Sequence, residues 1–162
     1  MNSLLEQRAF GRGGGGGMDP ERAARHRHDQ AVFHALLARH QEIHRELELL
    51  SNGIRAYTRS DNPEVVTLLH DHAPAMHRRL EENFGLRFWD PAFAELFAQR
   101  EKIRLDMHLL PDGVLVEETS AEPNVVKLIQ AHGQIINLFV AKGAAQAQQE
   151  SPLPPEYQRV LG

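Results

Sequence analysis

Two stretches of the chain, SDNPEVVTLLHDH from Ser60 and SAEPNVVKLIQAH from Ser120, repeat one pattern 60 positions apart, and each ends on a histidine. The register runs upstream without a gap. Phe33, Leu36, Ala38, Ile43, Leu49, Leu50, Gly53 and Pro63 recur as Phe93, Leu96, Ala98, Ile103, Leu109, Leu110, Gly113 and Pro123. A fixed offset over so long a span marks an internal duplication, so the fold must be one that two copies of a small unit build together.

Within each copy the periodicity predicts helix, hairpin, helix. Phe33, Leu36, Leu37 and His40 fall at helical spacing, after which Ile43, Arg45, Leu47 and Leu49 alternate with His44, Glu46 and Glu48 as a strand does. Asn52-Gly53, and Asp112-Gly113 in the second copy, predict two-residue hairpin turns whose residues take positive φ. Return strands are expected from about Ile54 to Thr58 and from Val114 to Glu118. Ser60 and Ser120, each followed by a proline, predict the starts of two long helices. Four strands with one apolar and one polar face define an α+β class: a four-stranded antiparallel sheet with helices on one face and a pseudo-twofold axis between the units. This element order differs from the βαββαβ order of a ferredoxin-like fold.

A length of 162 residues predicts one duplicated domain over about 28–143, its units divided near residue 88. Residues 1–27, with the run GRGGGGG, form a flexible leader within which Met18 is an alternative start, and 144–162 form an irregular tail. In RFWDPAF, Phe88 and Trp89 suit a hydrophobic staple before a helix capped by Asp90 and begun by Pro91.

Several function classes are disfavoured at once. A net charge of -4 and a pI near 6.2 argue against a nucleic-acid partner. No apolar run reaches the roughly 18 residues of a membrane span. The absence of cysteine excludes disulfides, thiolate metal sites, a Cys nucleophile and covalent haem attachment. No GxSxG, HExxH, Walker loop or strand-preceded GxGxxG occurs, and Asp90 and Glu95 look like surface carboxylates.

Ten histidines and four methionines are the compositional anomaly. Val65, Leu69, His72, Met76 and Leu80 form one helical stripe, and Val125, Ile129, His132, Ile136 and Val140 repeat it. Both His72 and His132 are therefore expected to point inward, as ligands of a metal ion or haem iron or as core residues hydrogen-bonded within their own unit. The first copy adds His34, Met76 and Pro74 where the second has Ala94, Ile136 and Gln134. A repeat kept only for structure has no reason to add ligand types to one copy. Pro74 is expected either to bend its helix beside His72 or to split it. His40 and His44 sit at a chelating spacing but straddle a helix end, and His70 and His77 are expected to be exposed.

The paired pattern of NG, SxNPxVV and His, then DG, TSxxPxVVKLIQxH, with FHALL upstream and RFWDPAFAELF between, resembles a group of small uncharacterised bacterial proteins, many of them exported. The resemblance covers about Asp29 to Gly143. It implies that the leader is a shortened form of an exported precursor, hence a periplasmic location, whereas the leader as written suits the cytoplasm. The positions matched to it are His34, His72, Met76 and His132.

The sequence thus points to a non-enzymatic protein that binds a metal ion or b-type haem. His72 and His132 would be ligands, Met76 or His34 would complete the site, and copper would suit a His/Met set. The rival readings are a protein-interaction module with packed histidines, and an enzyme using a buried His as acid or base. A protein partner and a homodimer are compatible with either binding role.

Overall fold

The computed structural model describes residues 19–82 and 90–161; the Gly-rich part of the leader, Phe88 and Trp89 lie outside them. Helix α1 spans Pro20–Ala38, strands β1 and β2 span Ile43–Leu50 and Gly53–Ser60, and α2 spans Pro63–Glu82. The second half follows with α3 (Pro91–Ala98), β3 (Arg104–Leu110), β4 (Gly113–Thr119), α4 (Pro123–Lys142) and a short α5 (Ala144–Ala147). Local chemistry accounts for the boundaries. Asp19 caps α1 by accepting from Arg22 N at 2.9 Å, Asp90 caps α3 as its sequence predicts, and Pro20, Pro63, Pro91 and Pro123 each open a helix where the missing N–H costs nothing. Helix α1 therefore reaches back over residues 20–27, which the sequence had placed in the leader.

The sheet is antiparallel with order β1-β2-β4-β3, so the class expected from the repeat is the class observed. The two halves join through β2 and β4, where Ala56 faces Val116, its own counterpart 60 positions on. Other contacts recur at the same offset. Ser60 N donates to Asp112 O and Ser120 N to Asn52 O, both at 3.0 Å. The His70 ring bonds Leu110 O and Gly113 O at 2.8 and 3.0 Å, while Gln130 Nε2 donates to Leu50 O and Gly53 O at 2.8 and 3.3 Å. Each long helix thus grips the hairpin of the other half. Packing agrees, since α4 lies over β1 and β2, and α2 lies over β4 with further contacts to β2 and β3. Helices α1 and α3 pack against α2 and α4 respectively.

Sequence expectations change at the turns, at the helix starts and at His70. The hairpins are tight, but Gly53 pairs with Leu50 and opens β2, so the turn residues are Ser51 and Asn52; Gly113 likewise opens β4. No left-handed residue occurs in either turn among the described residues. The glycines serve close approach instead: a Cβ on Gly53 would overlap Glu118 O, and one on Gly113 would overlap Thr58 O. Ser60 and Ser120 sit before the helices, each accepting from the N–H two residues on at 3.1 Å, because the proline at the first helical position moves the cap to Asn62 or Glu122. His70 is half-buried and anchored, as described, where exposure was expected.

Pro74 lies inside a continuous α2. The tail is docked: Asp90 accepts from Ser151 N and Oγ at 2.9 and 2.8 Å, and Glu95 accepts from Tyr157 Oη, Val160 N and Leu161 N at 2.7, 2.9 and 3.0 Å. Both carboxylates are 0% exposed, so neither is the surface group its sequence context suggested. Burial alone would raise the pKa of Glu95, but these bonds and the nearby Arg159 outweigh it and hold the carboxyl below its ordinary range.

Candidate functional site

A partly open cavity of about 550 Å³ lies between the sheet and the helices. Protein interiors ordinarily close to crystal-like density, so a space of this size in a small domain is a candidate site. Its floor is the helix-facing side of the central strands, including Ala56, Thr58, Val116 and Glu118. Its walls come from α2 and α4, its roof from α1 and α5.

All four residues singled out in the sequence line this cavity. His72 and Met76 face it from α2, His132 from α4 and His34 from α1. The apolar stripes of α2 and α4 turn His72, Met76 and His132 inward, as their spacing predicts. Both His72 and His132 sit deep in the fold yet remain half-buried by surface, because the surface they keep belongs to the cavity wall. Burial pushes each imidazole down to about 4. Nearby Asp29 and Asp71 oppose this at His72, while Arg45 adds to it at His132. Both rings are therefore neutral at physiological pH. His72 Nδ1 is buried without a hydrogen-bond partner. His34 is exposed at its place on α1, and His77, expected on the surface, is half-buried and lines the cavity too.

The pair His40 and His44 does not form a chelate. His40 bonds Val140 O at 2.7 Å from the helical side, and His44 lies on the opposite sheet face, 3.9 Å from Asp61. Among the described residues no group of three or more His, Asp or Glu side chains is placed to hold a metal ion.

Two polar cavity residues escaped the sequence analysis, although strand alternation placed Arg45 on the inward side. Arg45 spends its donors on neutral acceptors: Nε to Asn137 Oδ1 at 2.6 Å, one Nη to Thr58 Oγ1 at 2.9 Å, the other to Gly133 O at 3.3 Å. Burial lowers its pKa to about 10, and Glu118 opposes this. Glu118 is 8% exposed, and burial pushes it up to about 7 against the pull of Arg45. Its Oε2 has no hydrogen-bond partner. The alternation Val114, Val116, Glu118 carried the signal, a charged residue at an inward strand position.

Elsewhere, Arg79 of α2 is 1% exposed and bonds Asp29 of α1 through Nε and Nη2 at 2.9 and 2.8 Å, with His26 beside it. No described helix is long and apolar enough to cross a membrane.

Fold and site together define an α+β protein with a ligand-sized interior cavity between one sheet and its helices. No family model matches the chain, and no curated protein or solved structure shows significant similarity to it.

Proposed function

We propose that the protein is a non-enzymatic binding protein that encloses an apolar organic molecule between its sheet and helices. The observation that carries this reading is the cavity of about 550 Å³, within the 300–1,000 Å³ or so typical of small-molecule sites, lined by apolar side chains and a few convergent polar groups. Titrating the protein with the apolar fluorophore N-phenyl-1-naphthylamine should give saturable enhancement at about one probe per chain. Ala73→Phe, which fills the cavity from α2, should abolish it while leaving the melting transition in place. Absence of a saturable signal in the unmodified protein would remove this reading and favour the interaction module.

A second reading, b-type haem as that molecule, is supported by the two neutral imidazoles that α2 and α4 bring to one cavity, since the unprotonated ring is the form that ligates iron. Haem titration should then produce a Soret shift that His72→Ala with His132→Ala eliminates. A shift that survives the double substitution would exclude these ligands. A simple metal-ion site, copper included, has weaker support, because it would rest on these imidazoles and the Met76 thioether alone.

A further inference from the structure

We infer that Glu118 is the polar anchor of the cavity, accepting a hydrogen bond from a hydroxyl or amine on an otherwise apolar ligand. The inference rests on the binding reading above and narrows it to a class of molecule.

The argument comes from comparing the two halves at equivalent positions. In the first half, Arg45 of β1 reaches Thr58 of β2 together with Asn137 and Gly133 O of α4, so every partner of that buried cation is a neutral acceptor supplied by the protein. At the positions 60 residues away in the other half, Leu105 stands for Arg45, Glu118 for Thr58, His77 for Asn137 and Ala73 for Gly133. The second half has therefore exchanged the long donor for an aliphatic side chain and the small hydroxyl for a carboxyl. Glu118 is left 8% exposed, lining the cavity, with Oε2 buried and unbonded. Arg45 and Glu118 influence each other's charge without forming an ion pair.

An unbonded carboxyl oxygen in an apolar interior is costly, and buried polar groups are nearly always satisfied. No group of the protein donates to Glu118 Oε2, and Glu118 lines the space a ligand would fill. Oε2 itself has almost no accessible surface, so a ligand O–H or N–H would reach the carboxyl through a small turn of the side chain, and that bond removes the cost. A purely hydrocarbon ligand would leave it standing, so the site discriminates between them. The raised pKa of Glu118 agrees with a carboxyl short of donors.

The test uses the intact chain and displacement of N-phenyl-1-naphthylamine by three probes of equal length: 1-decanol, decylamine and nonyl methyl ether, which lacks a donor. The alcohol, the amine or both should bind at least about tenfold more tightly than the ether, the ratio expected for one hydrogen bond to a charged or buried acceptor. Which of the two leads identifies a neutral or a cationic headgroup. Glu118→Leu should erase the preference while keeping ether binding. Glu118→Gln, which conserves shape and an acceptor oxygen, should keep part of the alcohol preference and serves if the leucine variant does not fold. Equal binding of the three probes, no displacement by any of them, or a preference that survives Glu118→Leu overturns the assignment of Glu118 while the cavity reading stands on fluorophore binding. Failure of the fluorophore itself to bind removes both.

Discussion

Phe33 stacks on His72, with ring centroids 5.8 Å apart and planes 17° from parallel. Its counterpart Phe93 meets His132 at 5.2 Å with planes 81° apart. The halves share the pairing and differ in its geometry. Phe139 explains part of the difference, lying 5.9 Å from Phe33 and 6.3 Å from Phe93. Its own counterpart on α2 is Arg79, which turns to Asp29 instead. One aromatic ring therefore links both imidazole environments, and the two sides of the cavity it borders differ.

Stability should fall as pH drops from about 6.5 toward 4. Burial lowers His26, His72 and His132 to about 4 in the folded chain, the first also through Arg79, so between these limits the unfolded state binds protons that the folded state does not. Glu118 acts with the opposite sign: its folded pKa near 7 exceeds its unfolded value near 4.5, so it costs stability as pH rises through that interval. Three groups outweigh one. Thermal melts from pH 4.5 to 8 should show Tm rising to about pH 6.5, and Glu118→Gln should raise Tm at pH 8 more than at pH 5. A flat profile would contradict the buried, neutral state of the histidines.

Gly113→Ala should destabilise the protein by about 1–3 kcal/mol, the usual cost of forcing extra atoms into a closed contact. The added Cβ falls on Thr58 O of the neighbouring central strand, which cannot move without parting β2 from β4. Urea denaturation of this variant and of Gly53→Ala should give similar losses. A neutral result at either would mean the strands can separate freely.

Gln130→Ala should cost about 1–2 kcal/mol by freeing two hairpin carbonyls, Leu50 O and Gly53 O. Because His70 does the same work on the other hairpin, His70→Gln should retain most of the stability that His70→Ala loses. Equal loss in both His70 variants would show that the imidazole does something an amide cannot.

Asp29→Ala should cost about 3–5 kcal/mol, because it takes the carboxylate from a guanidinium that is 1% exposed. Replacing both partners, as Asp29→Leu with Arg79→Met, should recover much of that loss. If the double variant were as unstable as the single one, the contribution would be shape rather than charge.

Much of this architecture was legible because a repeat makes each inference twice. The inward stripe carrying His72 and its copy carrying His132 followed from period 3.6 alone; that both line one cavity did not. The turn geometry did not follow, since Gly53 and Gly113 answer to the approach of another strand, a long-range fact that a local dipeptide cannot carry. Asp90 and Glu95 were misjudged for the same reason. What buries them is a segment from Ser151 to Leu161, far along the chain, and nothing near either carboxylate announces it. His70 was placed on the surface because helical spacing says which face a residue occupies and not which loop lies above that face.

The exchange of helices between hairpins bears on how the molecule is made. When α2 leaves the ribosome, much of the surface it will cover has not been synthesised, and β1 and β2 still lack α4. The nascent first half therefore carries an amphipathic helix with its apolar face uncovered and a half-covered hairpin until Lys142 emerges. A neighbouring chain that already carries α4 can cover that hairpin, so crowded polysomes or rapid refolding should favour an intertwined dimer in which α4 of one molecule covers the first hairpin of another.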